Sequence, residues 1–79
     1  DLAALVGRPV VAVALEQEGR PLEDDRLMAL IEVRAGAPLT TAAVRESLAH
    51  LFNLGRFDDI VVEGRPEADG VRVVFVLTP

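Results

Sequence analysis

The sequence predicts a small α+β domain whose elements follow the order β-α-α-β-β along a single chain of 79 residues. Apolar runs of strand length lie near both ends of the chain, apolar residues at helical spacing lie between them, and glycine or proline marks the breaks. Hydrophobic residues make up 51% of the chain and charged residues 27%, which is the balance of a folded domain. A chain of this length forms one domain, here residues 1–79 with a core over about residues 10–78.

The first half of the chain predicts one strand and one helix. Strand 1 is expected over residues 10–15, an apolar stretch that is rich in β-branched side chains and too short for a helix. A turn over residues 18–21 follows it. Helix 1 is expected over residues 26–33, behind acidic side chains that suit a helix N-terminus. Gly36 and Pro38 then end the helix.

The second half predicts a helix and a hairpin. Helix 2 begins after Thr40, a favourable N-cap, and Gly55 stands where a C-terminal cap belongs. Strand 2 is expected over residues 57–62, with the Gly-Arg-Pro sequence at 64–66 ending it. Strand 3 is expected over residues 71–77, after an Asp-Gly turn, and pairs with strand 2 as an antiparallel hairpin.

Charge argues against nucleic-acid binding, and hydropathy argues against a membrane-spanning helix. Eight basic residues against thirteen acidic ones give a net charge of −5, which repels the phosphate backbone, so no nucleic acid is expected to bind. The longest apolar run, at residues 10–15, is far shorter than the roughly 20 residues of a membrane-spanning helix.

No catalytic or metal-binding group is evident. The chain has no cysteine and one histidine, so it lacks the ligands of a structural zinc site. Ser47 and His50 are three residues apart on helix 2, but no third group is placed to orient the imidazole. The adjacent carboxylates at 24–25 and 58–59 are better explained as capping groups or as strand neighbours that point to opposite faces. We therefore expect no enzyme activity, no metal and no cofactor.

Three sequence segments resemble the motifs of a POTRA domain. They are Gly36-Ala-Pro-Leu-Thr before helix 2, Leu51-Phe-Asn-Leu-Gly-Arg-Phe-Asp-Asp-Ile-Val-Val-Glu63, and Gly70-Val-Arg-Val-Val-Phe-Val-Leu-Thr-Pro79. The resemblance covers about residues 10–79. It implies a three-stranded mixed sheet in the order 1-3-2, covered on one face by two antiparallel helices. The sequence departs from the family at residues 15–19, where the aromatic before the Glu-Gly turn is missing.

The resemblance also implies a function. POTRA domains are periplasmic binding and scaffold modules of outer-membrane β-barrel proteins, so this domain is expected to be part of a larger chain anchored by such a barrel. Its expected partners are unfolded outer-membrane proteins or an exported substrate, neighbouring POTRA domains and accessory subunits. The alternatives are a module of a two-partner-secretion transporter or of a cell-division septum protein, and the sequence beyond Pro79 would distinguish them.

Two surfaces are candidates for contact. In the implied sheet order, strand 2 is an edge whose unpaired backbone groups can add a partner strand. This predicted edge comprises Asp58, Asp59, Ile60, Val61, Val62 and Glu63. Its acidic residues have a second interpretation, as charges that prevent aggregation.

The second surface is the sheet face opposite the helices, which is unusually apolar. If Val11, Val13 and Leu15 face the helices, the opposite face carries Val10, Ala12, Ala14, Val74 and Val76. Such a patch is typical of a contact surface, here with the next domain, with a second copy or with a lipid-associated subunit. The alternative is that small and β-branched residues simply suit a strand.

Overall fold

A four-stranded mixed sheet with helices on one face forms the fold in the computed structural model, which describes residues 2–79. The elements are a 3₁₀ helix at Leu2–Leu5, strand β1 at Val10–Gln17, strand β2 at Arg20–Leu22, helix α1 at Asp25–Met28, helix α2 at Thr41–Phe52, strand β3 at Asp59–Glu67 and strand β4 at Gly70–Thr78. The sheet order is β2-β1-β4-β3. β1 and β4 are parallel, and the other two pairs are antiparallel.

The α+β class and the relative order of the three predicted strands are confirmed, whereas the prediction of a three-stranded sheet is wrong in detail. The fourth strand, β2, lies where the sequence predicted only a turn. Glu18 and Gly19 adopt φ values of 54° and 76°, which makes a two-residue reversal. Arg20 therefore pairs with Gln17, and Leu22 with Leu15. Pro21 is tolerated because β2 is an edge strand.

Helix α1 is shorter than the expected span of 26–33. Asp24 caps it, since its Oδ1 atom accepts the N–H groups of Arg26 at 3.0 Å and Leu27 at 3.1 Å. The chain then leaves the helix, and both Ile31 and Val33 are buried. Burial at a spacing of two residues is typical of extended chain, so the prediction that the helix continues to residue 33 is wrong.

Helix α2 begins as predicted. The Oγ1 atom of Thr40 accepts the N–H of Ala43 at 3.1 Å, which confirms the N-cap. Gly55 lies beyond the helix in the left-handed region, with φ of 68°, and donates its N–H to the carbonyl of Phe52 at 3.0 Å. The helix therefore ends close to the predicted position.

Strand β3 continues through the Gly-Arg-Pro sequence that was expected to end it. Gly64 pairs with Val73, Arg65 with Arg72, and Pro66 with Val71. Ala68, with φ of 52°, then starts the turn into β4. The hairpin is thus longer than predicted, because β3 continues to Glu67. The outer side of β3 is longer to the same extent.

The core lies between the sheet and the helical layer. Its buried members are Leu5, Val10, Leu15, Leu27, Ile31, Val33, Leu39, Val44, Leu51, Ile60, Val71, Val73, Phe75 and Leu77. Leu5 belongs to the 3₁₀ helix, so the core extends to residues before the expected start at about residue 10. Gly64 makes room for this helix, because a Cβ atom there would lie 2.8 Å from the Leu5 Cδ1 atom and 2.9 Å from that of Leu2.

Ser47 is a buried polar residue whose hydroxyl joins two segments of the helical layer. Its Oγ atom donates to the carbonyl of Ala43 at 2.7 Å and accepts the N–H of Glu32 at 2.8 Å. Ser47→Ala would leave that N–H without a partner, so we expect the free energy of unfolding to fall by about 1–3 kcal/mol. Urea unfolding measures the change, and the exposed Glu46→Ala should cost less than about 0.5 kcal/mol. Equal stability of the two variants would contradict this role.

Candidate docking edge

The outer side of β3 is the longest open edge of the sheet within residues 2–79. Along β1, β2 covers residues 15–17 at the C-terminal end, and the chain at 36–39 covers the start. At that start, Val10 donates its N–H to the carbonyl of Ala37 at 2.9 Å, and Leu39 donates to the carbonyl of Arg8 at 2.9 Å. β3, by contrast, has only β4 as a strand neighbour, and the 3₁₀ helix packs beside it at Gly64. We call the outer side of β3, residues 59–67, the docking edge.

The register determines which backbone groups face outward on this edge. Val71 donates its N–H to the carbonyl of Pro9 at 3.0 Å, so its backbone groups point toward β1 and away from β3. Its partner on β3, Pro66, therefore directs its own backbone groups away from β4. Because this direction alternates along a strand, Gly64, Val62 and Ile60 also face outward. The edge thus offers N–H groups at Ile60, Val62 and Gly64.

Pro66 limits the docking edge at one end. It shares the outward direction of the three donors but has no N–H group. The two-residue turn at 68–69 supports this assignment independently. Glu67 and Gly70 close the turn, and the pair that closes such a turn exchanges hydrogen bonds between its two strands. Glu67 therefore faces β4, and Pro66, the residue before it, faces outward. Proline at an outward-facing position of an edge strand also costs no hydrogen bond to β4.

The structure places the predicted edge residues in two groups. Asp58 precedes β3 and donates its N–H to the carbonyl of Thr78 at 2.7 Å, so that N–H faces β4. The other five lie in β3, where the backbones of Ile60 and Val62 face outward. Gly64 is a donor outside the predicted edge, because the Gly-Arg-Pro sequence predicts that the strand ends before residue 64. The alternation of a strand through residue 66 is the signal that would have identified it.

Charged side chains border the docking edge on the sheet face away from the helices, which we call the open face. The Arg65 guanidinium donates to Glu63 through Nη2 at 2.7 Å and to Glu16 through Nη1 at 3.3 Å. The hydrogen bond to Glu63, followed by the one to Glu16, raises the pKa of Arg65 above its ordinary value. Glu16 lies on β1 and Glu63 on β3, so Arg65 connects the two strands across β4.

At the start of β1, two residues lie on the sheet faces opposite to those predicted. The register between β1 and β4 shifts at Val11, which forms a bulge between the Val10–Val71 and Ala12–Arg72 pairs. Val10 is 2% exposed and belongs to the core, whereas Val11 is 45% exposed. The predicted faces of these two residues are therefore wrong, because a bulge reverses the alternation and strict period-two counting cannot anticipate it.

The remaining predicted patch residues are Ala12, Ala14, Val74 and Val76. Ala14 pairs with Val74, and Val76 lies opposite Val61 of β3. Val74 is only 1% exposed. The register places it beside Glu63 and beneath the path of Arg65 toward Glu16. The charged side chains thus cover the centre of a face that the sequence predicted to be apolar.

Ser47 and His50 have separate structural partners. The Ser47 hydroxyl is occupied within the helical layer, as described above. His50 donates from Nδ1 to the carbonyl of Leu30 at 2.9 Å, and the same atom lies 3.9 Å from a Glu32 carboxylate oxygen. Among residues 2–79, no cluster of three or more His, Cys, Asp or Glu is placed to hold a metal ion. No helix in this part of the chain is long and apolar enough to cross a membrane.

These features define a class of protein: a small α+β module with one long open sheet edge. A family model named POTRA and described as a surface antigen variable number repeat matches residues 14–79. The chain belongs to the POTRA family.

Solved structures share this fold. A structure of POTRA1-2 of the periplasmic domain of Omp85 from Anabaena has a TM-score of 0.77 and 21% identity, over 92% of this chain and 46% of that one. POTRA1-3 of the same domain also gives 0.77 and 21%, over 91% and 29%. The N-terminal domain of Omp85 from Thermosynechococcus elongatus gives 0.69 and 24%, over 92% and 34%. The chain thus spans less than half of each structure, and no curated protein matches its sequence.

Proposed function

We propose that this domain is a periplasmic protein-binding module of an outer-membrane barrel assembly factor, and that it binds unfolded barrel proteins by strand addition to the docking edge. The observation that carries the proposal is the row of outward N–H groups at Ile60, Val62 and Gly64. An extended segment satisfies such a row through its own backbone, whatever its side chains. This independence of sequence suits a receptor for many different clients.

The parent protein is a longer chain anchored in the outer membrane by a β-barrel, with this module on the periplasmic side. Membership of the POTRA family supports this location, as do the similar structures, which are parts of periplasmic domains of Omp85. Those structures span several POTRA units, which supports neighbouring POTRA domains as partners. In this proposal the domain acts by binding these partners.

The expected affinity for one client segment is low. Each hydrogen bond contributes only about 0.5–1.5 kcal/mol net, and ordering an extended peptide opposes binding. Three donors with their carbonyls therefore correspond to dissociation constants on the order of millimolar. Low affinity is appropriate for a module that releases its client to the next step.

An amide NMR titration tests the proposal. The probe is a peptide from a transmembrane strand of an outer-membrane barrel. The control has the same sequence except for proline at alternate positions, which removes the N–H donors on one side of the peptide. We expect saturable shifts along residues 59–65 with the first peptide and none with the control. Shifts confined to Ala12, Ala14, Val74 and Val76 would assign binding to the open face. The absence of any shift up to about 10 mM peptide would contradict client docking.

A further inference from the structure

We propose that the docking edge also pairs with the same edge of a second copy of this chain, in an antiparallel arrangement centred on Val62. Two-fold symmetry then places Val62 opposite Val62 and Ile60 opposite Gly64 of the second copy. All three residues face outward, so each pair exchanges hydrogen bonds in both directions. The two sheets join into one, with both helical layers on the same side.

Charge complementarity selects this partner. On the open face, the arrangement places Asp59 opposite Arg65 of the second copy, and symmetry repeats the pair. Asp59 is exposed and forms no ion pair within residues 2–79, so its carboxylate is available. Arg65 already contacts Glu63 and Glu16, and its guanidinium carries five donors, of which these contacts use two. Opposite charges directly across an antiparallel pair stabilise it.

Neighbouring registers lack this complementarity. Sliding one strand by two residues in one direction places Asp59 opposite Glu63 of the second copy. Sliding it the other way places the two Glu63 side chains opposite each other. Like charges directly across a strand pair are destabilising. The register centred on Val62 also leaves Pro66 outside the row of hydrogen bonds, where its missing N–H costs nothing.

Self-pairing occupies the same backbone groups as client docking, but it does not depend on any client. A paired domain has no free donors at Ile60, Val62 and Gly64. The two-fold state therefore protects the edge from aggregation when no client is present, and a client must compete with the second copy. Because the test below contains no peptide, its outcome is separate from that of the proposed function.

A charge-exchange experiment tests the pairing. Sedimentation equilibrium of the wild-type domain is expected to show a weight-average mass that rises from monomer toward dimer as the concentration approaches about 1 mM. Asp59→Arg and Arg65→Asp each place like charges at both contacts, so each variant alone should associate about tenfold more weakly. Mixed in equal amounts, the two variants restore opposite charges at both contacts. Their mixture should associate about as well as the wild type.

Two controls keep the result interpretable. Amide spectra of each variant establish that it is folded, and Arg65→Gln replaces the acidic variant if Arg65→Asp unfolds. The Arg65→Gln variant is expected to associate more weakly than wild type but more strongly than Asp59→Arg. A wild-type domain that stays monomeric throughout would overturn the proposal. So would a mixture of the two charge variants that associates no better than either variant alone.

Discussion

Gly70→Ala is expected to lower the free energy of unfolding by about 3 kcal/mol or more, although it adds only one methyl group. A Cβ atom at this position would lie 2.5 Å from the Val11 Cγ1 atom and 2.6 Å from the Pro9 carbonyl oxygen. That oxygen accepts the N–H of Val71 at 3.0 Å, so moving it away would break a bond between β1 and β4. The cost arises from packing, because Gly70 does not have a positive φ. Urea unfolding followed by circular dichroism measures it.

Two other glycines provide matched controls for Gly70→Ala. Gly36 has φ of 91° with nothing within 4 Å of an added Cβ, so Gly36→Ala should cost about 1–2 kcal/mol from backbone strain alone. At Gly64 the added Cβ would meet the tips of two leucine side chains, which can move more easily than backbone. Its alanine variant should therefore be less destabilised than Gly70→Ala. A Gly70→Ala variant more stable than Gly36→Ala would show that β1 and β4 do not approach as closely as described.

Val62→Pro is expected to abolish binding of an extended peptide, with a loss of affinity of more than about tenfold. The substitution removes the central outward N–H of the docking edge and places a ring where the peptide backbone would lie. The fold should survive, because this N–H makes no bond to β4 and the protein already carries Pro66 in the same orientation. NMR titration with a barrel-strand peptide measures the loss, and urea unfolding measures the stability.

Val62→Ala is the matched control for the proline variant. The alanine variant removes most of the half-buried side chain but keeps the N–H, so peptide binding should persist. If proline and alanine weaken binding equally, the side chain rather than the backbone carries the contact. If neither variant changes the affinity, peptides bind elsewhere on the domain.

The sequence was most informative where a local chemical rule determines the structure. Thr40 begins α2 because its side chain can accept a backbone N–H, and Gly55 follows the helix because it tolerates a left-handed conformation. The alternation of apolar residues along β4 likewise places Val71, Val73, Phe75 and Leu77 on one face, and all four are core residues. Rules of this kind require no information about distant residues.

The sequence was misleading where tertiary contacts override local preference. The segment after α1 leaves the helix because its apolar residues are buried as extended chain and Ser47, fifteen positions away, binds the N–H of Glu32. Gly64 and Pro66 fit within β3 because one accommodates the 3₁₀ helix and the other faces outward on an edge. The bulge at Val11 has no local signal and exchanges the faces of Val10 and Val11.

The same distinction between local rules and long-range contacts applies to the docking edge. Family resemblance and the hairpin identified the strand that forms the edge, but not its length or which backbone groups are available. Those depend on the Val71–Pro9 hydrogen bond and on the register of the hairpin, which are long-range features. The open face, too, was predicted from apolar residues alone, whereas Glu16 and Arg65 meet only after β1, β4 and β3 assemble.

Amide hydrogen exchange along β3, with and without a barrel-strand peptide, tests the docking edge most directly. In the free domain at concentrations well below those of self-association, Ile60, Val62 and Gly64 should exchange quickly, because their N–H groups face solvent. Val61, Glu63 and Arg65 should exchange slowly, because theirs face β4. Addition of the peptide should slow the first three selectively. If the fast and slow positions are reversed, or if the peptide protects none of the outward groups, β3 is not the edge at which this domain binds its clients.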